Sequence, residues 1–403
     1  MLPRLRSWLE SLRARLWLIP AAFASGAAIL AWLLVSVDRS LAPDLEGAFV
    51  FGGGPESARS ILSTIAAAML TFTGLVFSVT MLVLQLASSQ LSPRVTRTFL
   101  RDRKNQAVLG VFVATFLYAL LVLREVRSTP DAEFVPSIAT WLAFVLLIAS
   151  VGAFIFYIDH MAHAMRVSTV VASVADETRT ALDRTFPEPV GGEPPPDLPV
   201  PTVTAIVPAE DRPGTVQGVD LDRLVEIARE ADAVIELAVV PGDAIPGGGT
   251  LARIRGGGSV DPAAVRGAIV VADERTMDQD PLFGVRQLVD IAARALSPGV
   301  NDPTTARLVI DRLHDLLRLL AGRAIPPDQR VDDGGDLRLL VPRPDWAAYV
   351  TLACEEIRIF GGATPQIRQG LAEMLDDLEA VVPEERRDAV RRQREALRGP
   401  ADG

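Results

Sequence analysis

Four apolar stretches dominate the first 160 residues, and each is long enough to cross a lipid bilayer as a helix. They cover about residues 16–37, 60–90, 107–123 and 137–158. The second stretch is the most informative, because no charged residue lies between Arg59 and Arg94. The pattern predicts an α-helical integral membrane domain with four transmembrane helices over residues 1–160.

The second stretch carries a stripe of hydroxyl and amide side chains, called the polar seam below. At about 100° per residue these side chains fall within about 80° of one another, and most are seven residues apart. The polar seam comprises Ser57, Ser60, Thr64, Thr71, Ser78, Gln85 and Ser89. Two interpretations are open. Small hydroxyl residues let membrane helices pack closely, and the same residues can line a wetted pore, although no ring of charge accompanies them.

Beyond the fourth stretch the chain changes character. Residues 161–201 are typical of a helical extension followed by a linker rich in proline and glycine, and we expect a helix over 167–186 to continue the fourth span. Residues 202–272 predict a small β-rich module, and residues 273–403 predict a mainly helical domain. The expected fold is therefore a four-helix membrane domain followed by a cytoplasmic α+β domain with a helical C-terminal part.

Charge separates the two halves and predicts their orientation. Residues 1–160 sum to about +3, and the rest of the chain sums to about −13. Basic residues concentrate at the N-terminus and between the second and third spans, so the positive-inside rule predicts both segments, and both termini, in the cytoplasm. The acidity of the C-terminal half argues against nucleic acid as a partner.

The run over 241–254 resembles one arm of the biotinyl or lipoyl carrier modules. Such carriers need a lysine on a tight turn to hold the prosthetic group, and Lys104 is the only lysine in the chain. A swinging-arm carrier is therefore excluded, and we expect no cofactor.

Asp280-Pro281 and Asp302-Pro303 each predict the start of a helix, because aspartate caps the first turn and proline suits its first position. Acidic, arginine and hydroxyl side chains cluster around these starts. The ligand or interface candidates are Glu274, Arg275, Asp278, Arg286, Asp290, Arg294, Asn301, Asp302, Thr304 and Thr305. Helix capping and surface ion pairs are the ordinary explanation of such a cluster. A site for a ligand or a subunit contact is the alternative.

Long motifs in the same region resemble a known family. They are Glu-Arg-Thr-x-Asp-Gln-Asp-Pro over 274–281, Phe-Gly-Val-Arg-Gln-Leu-Val-Asp-Ile-Ala over 283–292, and Arg-Ala-Leu-Ser-Pro-Gly-Val-Asn-Asp-Pro-Thr-Thr-Ala over 294–306. Together with residues 77–94 of the second span, they resemble the bacterial predicted membrane proteins grouped as domain of unknown function 2254. The resemblance implies an integral membrane protein with a cytoplasmic C-terminal part, which we expect in the bacterial inner membrane. It implies no activity.

Catalytic motifs do not appear in the sequence. There is no Gly-x-x-x-x-Gly-Lys-Ser/Thr, no Gly-x-Ser-x-Gly and no His-Glu-x-x-His, and the chain has three histidines. Asp159, His160 and His163, at the exit of the fourth span, are weak candidates for a metal or a pH-sensing group. We expect no metal site and no enzyme.

Two functions remain open. The first is a homo-oligomeric channel or transporter, in which the second helices surround a path and the cytoplasmic domain forms a regulatory vestibule. The second is a membrane-anchored scaffold or sensor, whose cytoplasmic domain binds a partner or a small ligand. The expected partners are the lipid bilayer, further copies of the chain, and an ion or small ligand that the sequence does not identify.

Overall fold

The computed structural model describes residues 17–41, 51–90, 102–129, 132–164, 166–190 and 198–399, without the side chains of residues 41, 86–90, 129, 132 and 164. The chain divides into two compact units, Met1–Arg166 and Val167–Gly403. They are called the N-terminal unit and the C-terminal unit below, and each is described by itself. The basic segment over 91–101 lies outside the described residues.

The N-terminal unit contains four helices that are long and apolar enough to cross a membrane. They are α1 (Leu18–Leu41), α2 (Pro55–Gln90), α3 (Arg103–Glu125) and α4 (Ser137–Ala164), with a short hairpin of β1 (Arg127–Thr129) and β2 (Ala132–Phe134) between the last two. Each of the four apolar stretches of the sequence falls within one of these helices, apart from residues 16 and 17.

Helix α3 is the central helix of this unit, since it packs against α1, α2 and α4. Of the most apolar 18 residues of α3, 44% are buried inside the unit, whereas the corresponding share for α2 is 17%. Phe112 packs with Phe72 and Phe154, at centroid distances of 6.0 and 6.5 Å. Polar contacts also join the helices, for example the bond of 3.1 Å between the Thr115 and Ser150 hydroxyls and the bond of 2.9 Å from the Tyr118 hydroxyl to the carbonyl of Ala139.

Asp38 closes one end of the unit. Its carboxylate is buried and accepts hydrogen bonds of 3.0 Å from the backbone N–H groups of Ile138 and Ala139. These N–H groups belong to the first turn of α4, where no preceding carbonyl of the helix can accept them. The last residues of α1 therefore cap α4.

The C-terminal unit contains eight helices and eight strands among its described residues. The helices are α5 (Val167–Thr185), α6 (Leu221–Glu230), α7 (Pro262–Gly267), α8 (Pro281–Ala295), α9 (Pro303–Ala321), α10 (Trp346–Gly361), α11 (Pro365–Val381) and α12 (Glu384–Arg398). The strands are β3 (Val203–Pro208), β4 (Gly214–Val219), β5 (Ala233–Leu237), β6 (Ala244–Ile245), β7 (Thr250–Gly256), β8 (Ile269–Ala272), β9 (Gln329–Val331) and β10 (Leu337–Leu340).

The strands form a five-stranded sheet of order β3-β7-β5-β10-β9 and a three-stranded sheet of order β6-β4-β8. Strand β10 pairs with β5 in parallel, and the other pairs of these two sheets are antiparallel. Both sheets contribute to one hydrophobic cluster, which also takes Leu339 and Val341. The β-rich region is therefore not confined to residues 202–272, because two of its strands come from the segment between α9 and α10.

Helix α5 belongs to the helical layer of the C-terminal unit, where it packs on α8 and α9. The expectation that it continues the fourth span is wrong, because Arg166, between α4 and α5, is not helical. The predicted linker is also held at its described ends. Pro189 pairs with Arg323, and the side chain of Gln329 bonds to the backbone of Leu198 at 2.9 and 3.1 Å.

The contact between α5 and α8 requires a glycine. A Cβ atom built on Gly284 would lie 2.0 Å from Oγ1 of the buried Thr178. We expect Gly284→Ala to destabilise the protein by about 2 kcal/mol, because overpacking forces the two helices apart. Thermal unfolding of the full chain in detergent measures this loss.

Gly257→Ala is the matched control, because a Cβ there meets nothing within 4 Å. Thr178→Ala removes the nearest atom, so adding it to Gly284→Ala should restore part of the lost Tm. Equal Tm values for the two glycine variants would contradict the close contact.

Candidate functional site

The polar seam faces away from the rest of the N-terminal unit. Its six members with described side chains are all exposed: Ser57, Ser60, Thr64, Thr71, Ser78 and Gln85. The side chain of Ser89 lies outside the described residues. The opposite side of α2 is apolar, and Leu62, Met69 and Val76 on it are buried against the other helices. The seam is therefore not what holds α2 to the other three helices.

The seam hydroxyls that form bonds do so within α2. Thr64 donates to the carbonyl of Ser60 at 2.7 Å, and Thr71 donates to the carbonyl of Ala67 at 3.0 Å. The hydroxyl protons of these two threonines are thus satisfied, which makes them tolerable in a membrane. The hydroxyl oxygens keep lone pairs that point outwards and can accept a further bond.

Two small residues lie within the same stripe of α2, which is flanked by exposed apolar side chains such as Leu70 and Leu75, and both were missed by a search for polar side chains. Ala67 and Gly74 are both exposed. With them, small side chains recur at alternating intervals of four and three residues: Ser60, Thr64, Ala67, Thr71, Gly74 and Ser78. This is the heptad spacing of helices that pack side by side. Nothing lies within 4 Å of a Cβ placed on Gly74, so no packing inside the unit requires this glycine.

The candidates in the C-terminal unit do not form one site. They lie along α8 and beyond its two ends, and a helix of 15 residues separates those ends by about 20 Å.

Before α8, the candidates bond to the protein itself. The Arg275 guanidinium donates to the buried carboxylate of Asp280 at 2.6 Å and lies 4.9 Å from the centre of the Phe283 ring. Asp280 also accepts from the backbone N–H of Phe283, as the predicted cap. Burial raises the pKa of Asp280, and the hydrogen bond from Arg275 opposes that shift.

The loop before α8 also connects the sheets to the helices. The Gln279 side chain accepts from the N–H of Val219 at 2.9 Å, and Gln217 donates to the carbonyl of Glu274 at 2.7 Å. Asp278 lies 3.9 Å from Arg184 of α5. Gly242, at φ +101°, leaves the space that Asp280 and Arg275 fill. The loop is thus a structural junction.

Along α8, Arg286 joins two carboxylates. It lies 2.5 Å from Asp290 one turn later, and it forms a two-pronged contact with Glu356 of α10. The hydrogen bond to Glu356 is the main cause that raises the pKa of Arg286. Arg294 is exposed and takes no part in this network. Glu356 was missed, because a partner 70 residues away leaves no local pattern.

After α8, several candidates point to solvent. Asp302 caps α9 by accepting from the backbone N–H and the hydroxyl of Thr305, at 3.1 and 2.6 Å. The hydroxyl bond is the main cause that lowers the pKa of Asp302. Asn301 has a left-handed backbone with φ 49° and is exposed, as is Thr304. Solvent-facing groups thus collect at this end.

Two of the three weak metal candidates lie close together, because His163 Nδ1 is 3.4 Å from the Asp159 carboxylate, but His160 turns to a different carboxylate. His160 binds Asp102, which caps α3, at 2.5 Å, whereas His163 turns back to the carbonyl of Asp159 at 2.8 Å. Across the residues with described positions, no group of three or more His, Cys, Asp or Glu side chains is arranged to hold a metal.

Comparisons with known proteins match nearly the whole chain. A family model described as "Predicted membrane protein (DUF2254)" matches residues 13–377. Proteins of Mycobacterium tuberculosis (strain ATCC 25618 / H37Rv) and Mycobacterium bovis (strain ATCC BAA-935 / AF2122/97), both named as uncharacterized, are 35% identical over 406 residues. The alignment covers 98% of this chain and 77% of each relative. No solved structure matches the chain.

The network around Arg286 predicts a larger loss of stability when Arg286 is replaced than when Asp290 is replaced. Arg286→Ala leaves two half-buried carboxylates without their partner, so we expect a loss of about 2 kcal/mol and a Tm lower by about 4–8 °C. Asp290→Asn leaves the two-pronged contact with Glu356 in place and should cost under about 1 kcal/mol. Thermal unfolding of the full chain compares the two variants, and a larger loss for Asp290→Asn would contradict the network.

Proposed function

Because the chain belongs to the DUF2254 family of predicted membrane proteins, we propose that it is a homo-oligomeric channel or transporter. In this proposal the α2 helices of neighbouring copies meet along the polar seam and enclose a path across the membrane. The C-terminal unit forms a regulatory vestibule. The single observation that carries the proposal is the exposure of every described seam side chain on the outer face of α2.

The composition of the exposed face favours a neighbouring helix over lipid. A helix face that meets only lipid gains from large apolar side chains, whereas close packing between membrane helices favours Gly, Ala, Ser and Thr. The face from Ser60 to Ser78 offers the second type at each heptad position. Outward-pointing hydroxyl oxygens can also replace part of the hydration shell of a passing ion.

The alternative is a membrane-anchored scaffold or sensor that transports nothing. Here the seam only holds the copies together, and the function lies in the C-terminal unit. The solvent-facing residues Arg294, Asn301 and Thr304 support this alternative, because the structure uses them little for its own stability. Ion flux separates the two functions.

We further propose that the protein lies in the bacterial inner membrane with both termini in the cytoplasm, and that it is not an enzyme. The orientation rests on the basic residues of the N-terminus and of the segment between α2 and α3.

Thr71→Leu tests the path. Leucine would narrow and dry a pore without exposing a polar group, so ion flux into liposomes should fall by about tenfold or more while the oligomer stays intact. Phe77→Leu is the matched control, because Phe77 is 54% exposed on another face of α2. It should leave flux unchanged.

If the seam only holds copies together, Thr71→Leu should instead weaken assembly, by about 1 kcal/mol per lost hydrogen bond. A sizing column detects that loss. Wild-type protein that passes no ion, or an intact Thr71→Leu oligomer whose flux is unchanged, would contradict the channel and leave the scaffold.

Cysteine labelling tests the orientation. Gly52 and Gly257 are suitable positions, because nothing lies within 4 Å of a Cβ at either. In intact cells, a membrane-impermeant maleimide should label Gly52→Cys and spare Gly257→Cys until the membrane is opened. The native Cys354 should not react, because burial raises the pKa of its thiol to about 12. Protection of Gly52→Cys in intact cells would reverse the orientation.

A further inference from the structure

Four helix ends meet at one end of the helical layer. A Cβ built on Gly361, the last residue of α10, would lie 2.8 Å from Leu296, which follows α8, and 2.8 Å from Ile367 in the first turn of α11. The loop after α8 folds back onto it, because the N–H of Asp302 donates to the carbonyl of Ala295 at 2.7 Å. Helix α9 starts at the next residue.

This end exposes large apolar side chains. Ile359 is 51% exposed, Phe360 is 56% exposed, and Val300 is 48% exposed. Ile359 and Phe360 are consecutive and are followed by Gly361 and Gly362, so they end α10 as an apolar projection. Apolar side chains that cluster on a surface, instead of being scattered singly, mark an interaction site.

Three arginines lie at the same helix ends, in the last turns of α8 and α10 and the first turn of α11. Arg294 and Arg368 are exposed, and Arg358 has a buried Nε atom without a hydrogen-bond partner. Against these three cations, the acidic residues of the same helix ends are Glu355 and Asp302, apart from Glu356, which Arg286 holds. Asp302 keeps its negative charge, because the hydrogen bond from the Thr305 hydroxyl lowers its pKa. With three arginines against two carboxylates, the surface has a slight basic excess in a unit where residues 167–403 hold 26 arginines and 40 acidic residues.

We propose that this surface, defined by Arg294, Val300, Arg358, Ile359, Phe360 and Arg368 and called the tip surface, docks on a bilayer that contains anionic lipid. The apolar side chains enter the region between headgroups and acyl chains, and the guanidinium groups bind lipid phosphates. We choose a bilayer as the partner because the tip surface presents apolar side chains together with arginines, and the boundary between acyl chains and anionic headgroups can accept both. The protein's own spans also keep a bilayer within reach of a tethered surface.

The experiment uses the full chain in lipid nanodiscs. Val300→Cys carries an environment-sensitive fluorophore, so that Ile359 and Phe360 stay intact. Val381→Cys is the matched control, because Val381 is 42% exposed at the far end of α11. Lipids with a nitroxide just below the headgroup quench only a fluorophore that touches the bilayer.

Quenching of the Val300 probe should exceed that of the Val381 probe by about twofold or more in discs that contain phosphatidylglycerol. It should fall in discs of phosphatidylcholine alone, and Phe360→Ser or the pair Arg294→Gln and Arg368→Gln should reduce it. Thermal unfolding verifies that these surface variants remain folded.

Three results would overturn the proposal. Quenching at Val300 no greater than at Val381 would show that the tip surface stays in water. A blue-shifted Val300 probe that the nitroxide lipids do not quench would show that protein, such as a second copy, covers the surface. Quenching that is equal in neutral and anionic discs, and that the arginine variants do not change, would show that the arginines do not bind the phosphates of anionic lipid.

Discussion

The packing of α2 against α3 governs the rest of the N-terminal unit. Helix α3 takes the central position, and α2 meets it with an apolar face that includes Leu62 and Met69. A helix has only one such face to offer, so its polar side must turn outwards. In a membrane that side cannot be hydrated freely, as it would be in a soluble bundle. The outward polar seam follows directly from this packing.

The N-terminal unit is internally complete without the seam. Its interior is mainly apolar, and the hydroxyl contacts that join its helices use other residues, such as Thr115 with Ser150 and Thr80 with Tyr157. Asp38 satisfies the first turn of α4. Within one copy, the described seam side chains therefore do not hold the four helices together. Because the seam has no packing role within one copy, we place its role between copies.

Local patterns in the sequence predicted several features well. Hydrophobic length placed the four long helices, and the pairs Asp280-Pro281 and Asp302-Pro303 placed the starts of α8 and α9 together with their capping bonds. Each of these depends on neighbouring residues alone, or on a composition that the bilayer imposes over a whole span. Such signals survive in a single sequence.

The features that were missed depend on distant residues. Strand β10 joins the sheet beside β5, about a hundred residues earlier, and no local pattern announces that pairing. The partnership of Arg286 with Glu356 is equally remote. Ala67 and Gly74 were missed because the stripe was defined by polar side chains, and neither residue has one. Their heptad spacing was nevertheless visible in the sequence. Helix α5 was assigned to the fourth span because composition does not reveal which core a helix joins.

The central claim is that the seam of one copy faces the seam of another, and disulfide cross-linking in native membranes tests it most directly. Ser78→Cys places a thiol at the centre of the seam with little change in side-chain size, and Phe77→Cys places one at the same depth but about 100° away around the axis of α2. The buried Cys354 does not interfere. Under mild oxidation, the account predicts a covalent dimer for Ser78→Cys and none for Phe77→Cys. No dimer at Ser78, or equal dimer at both positions, would contradict it.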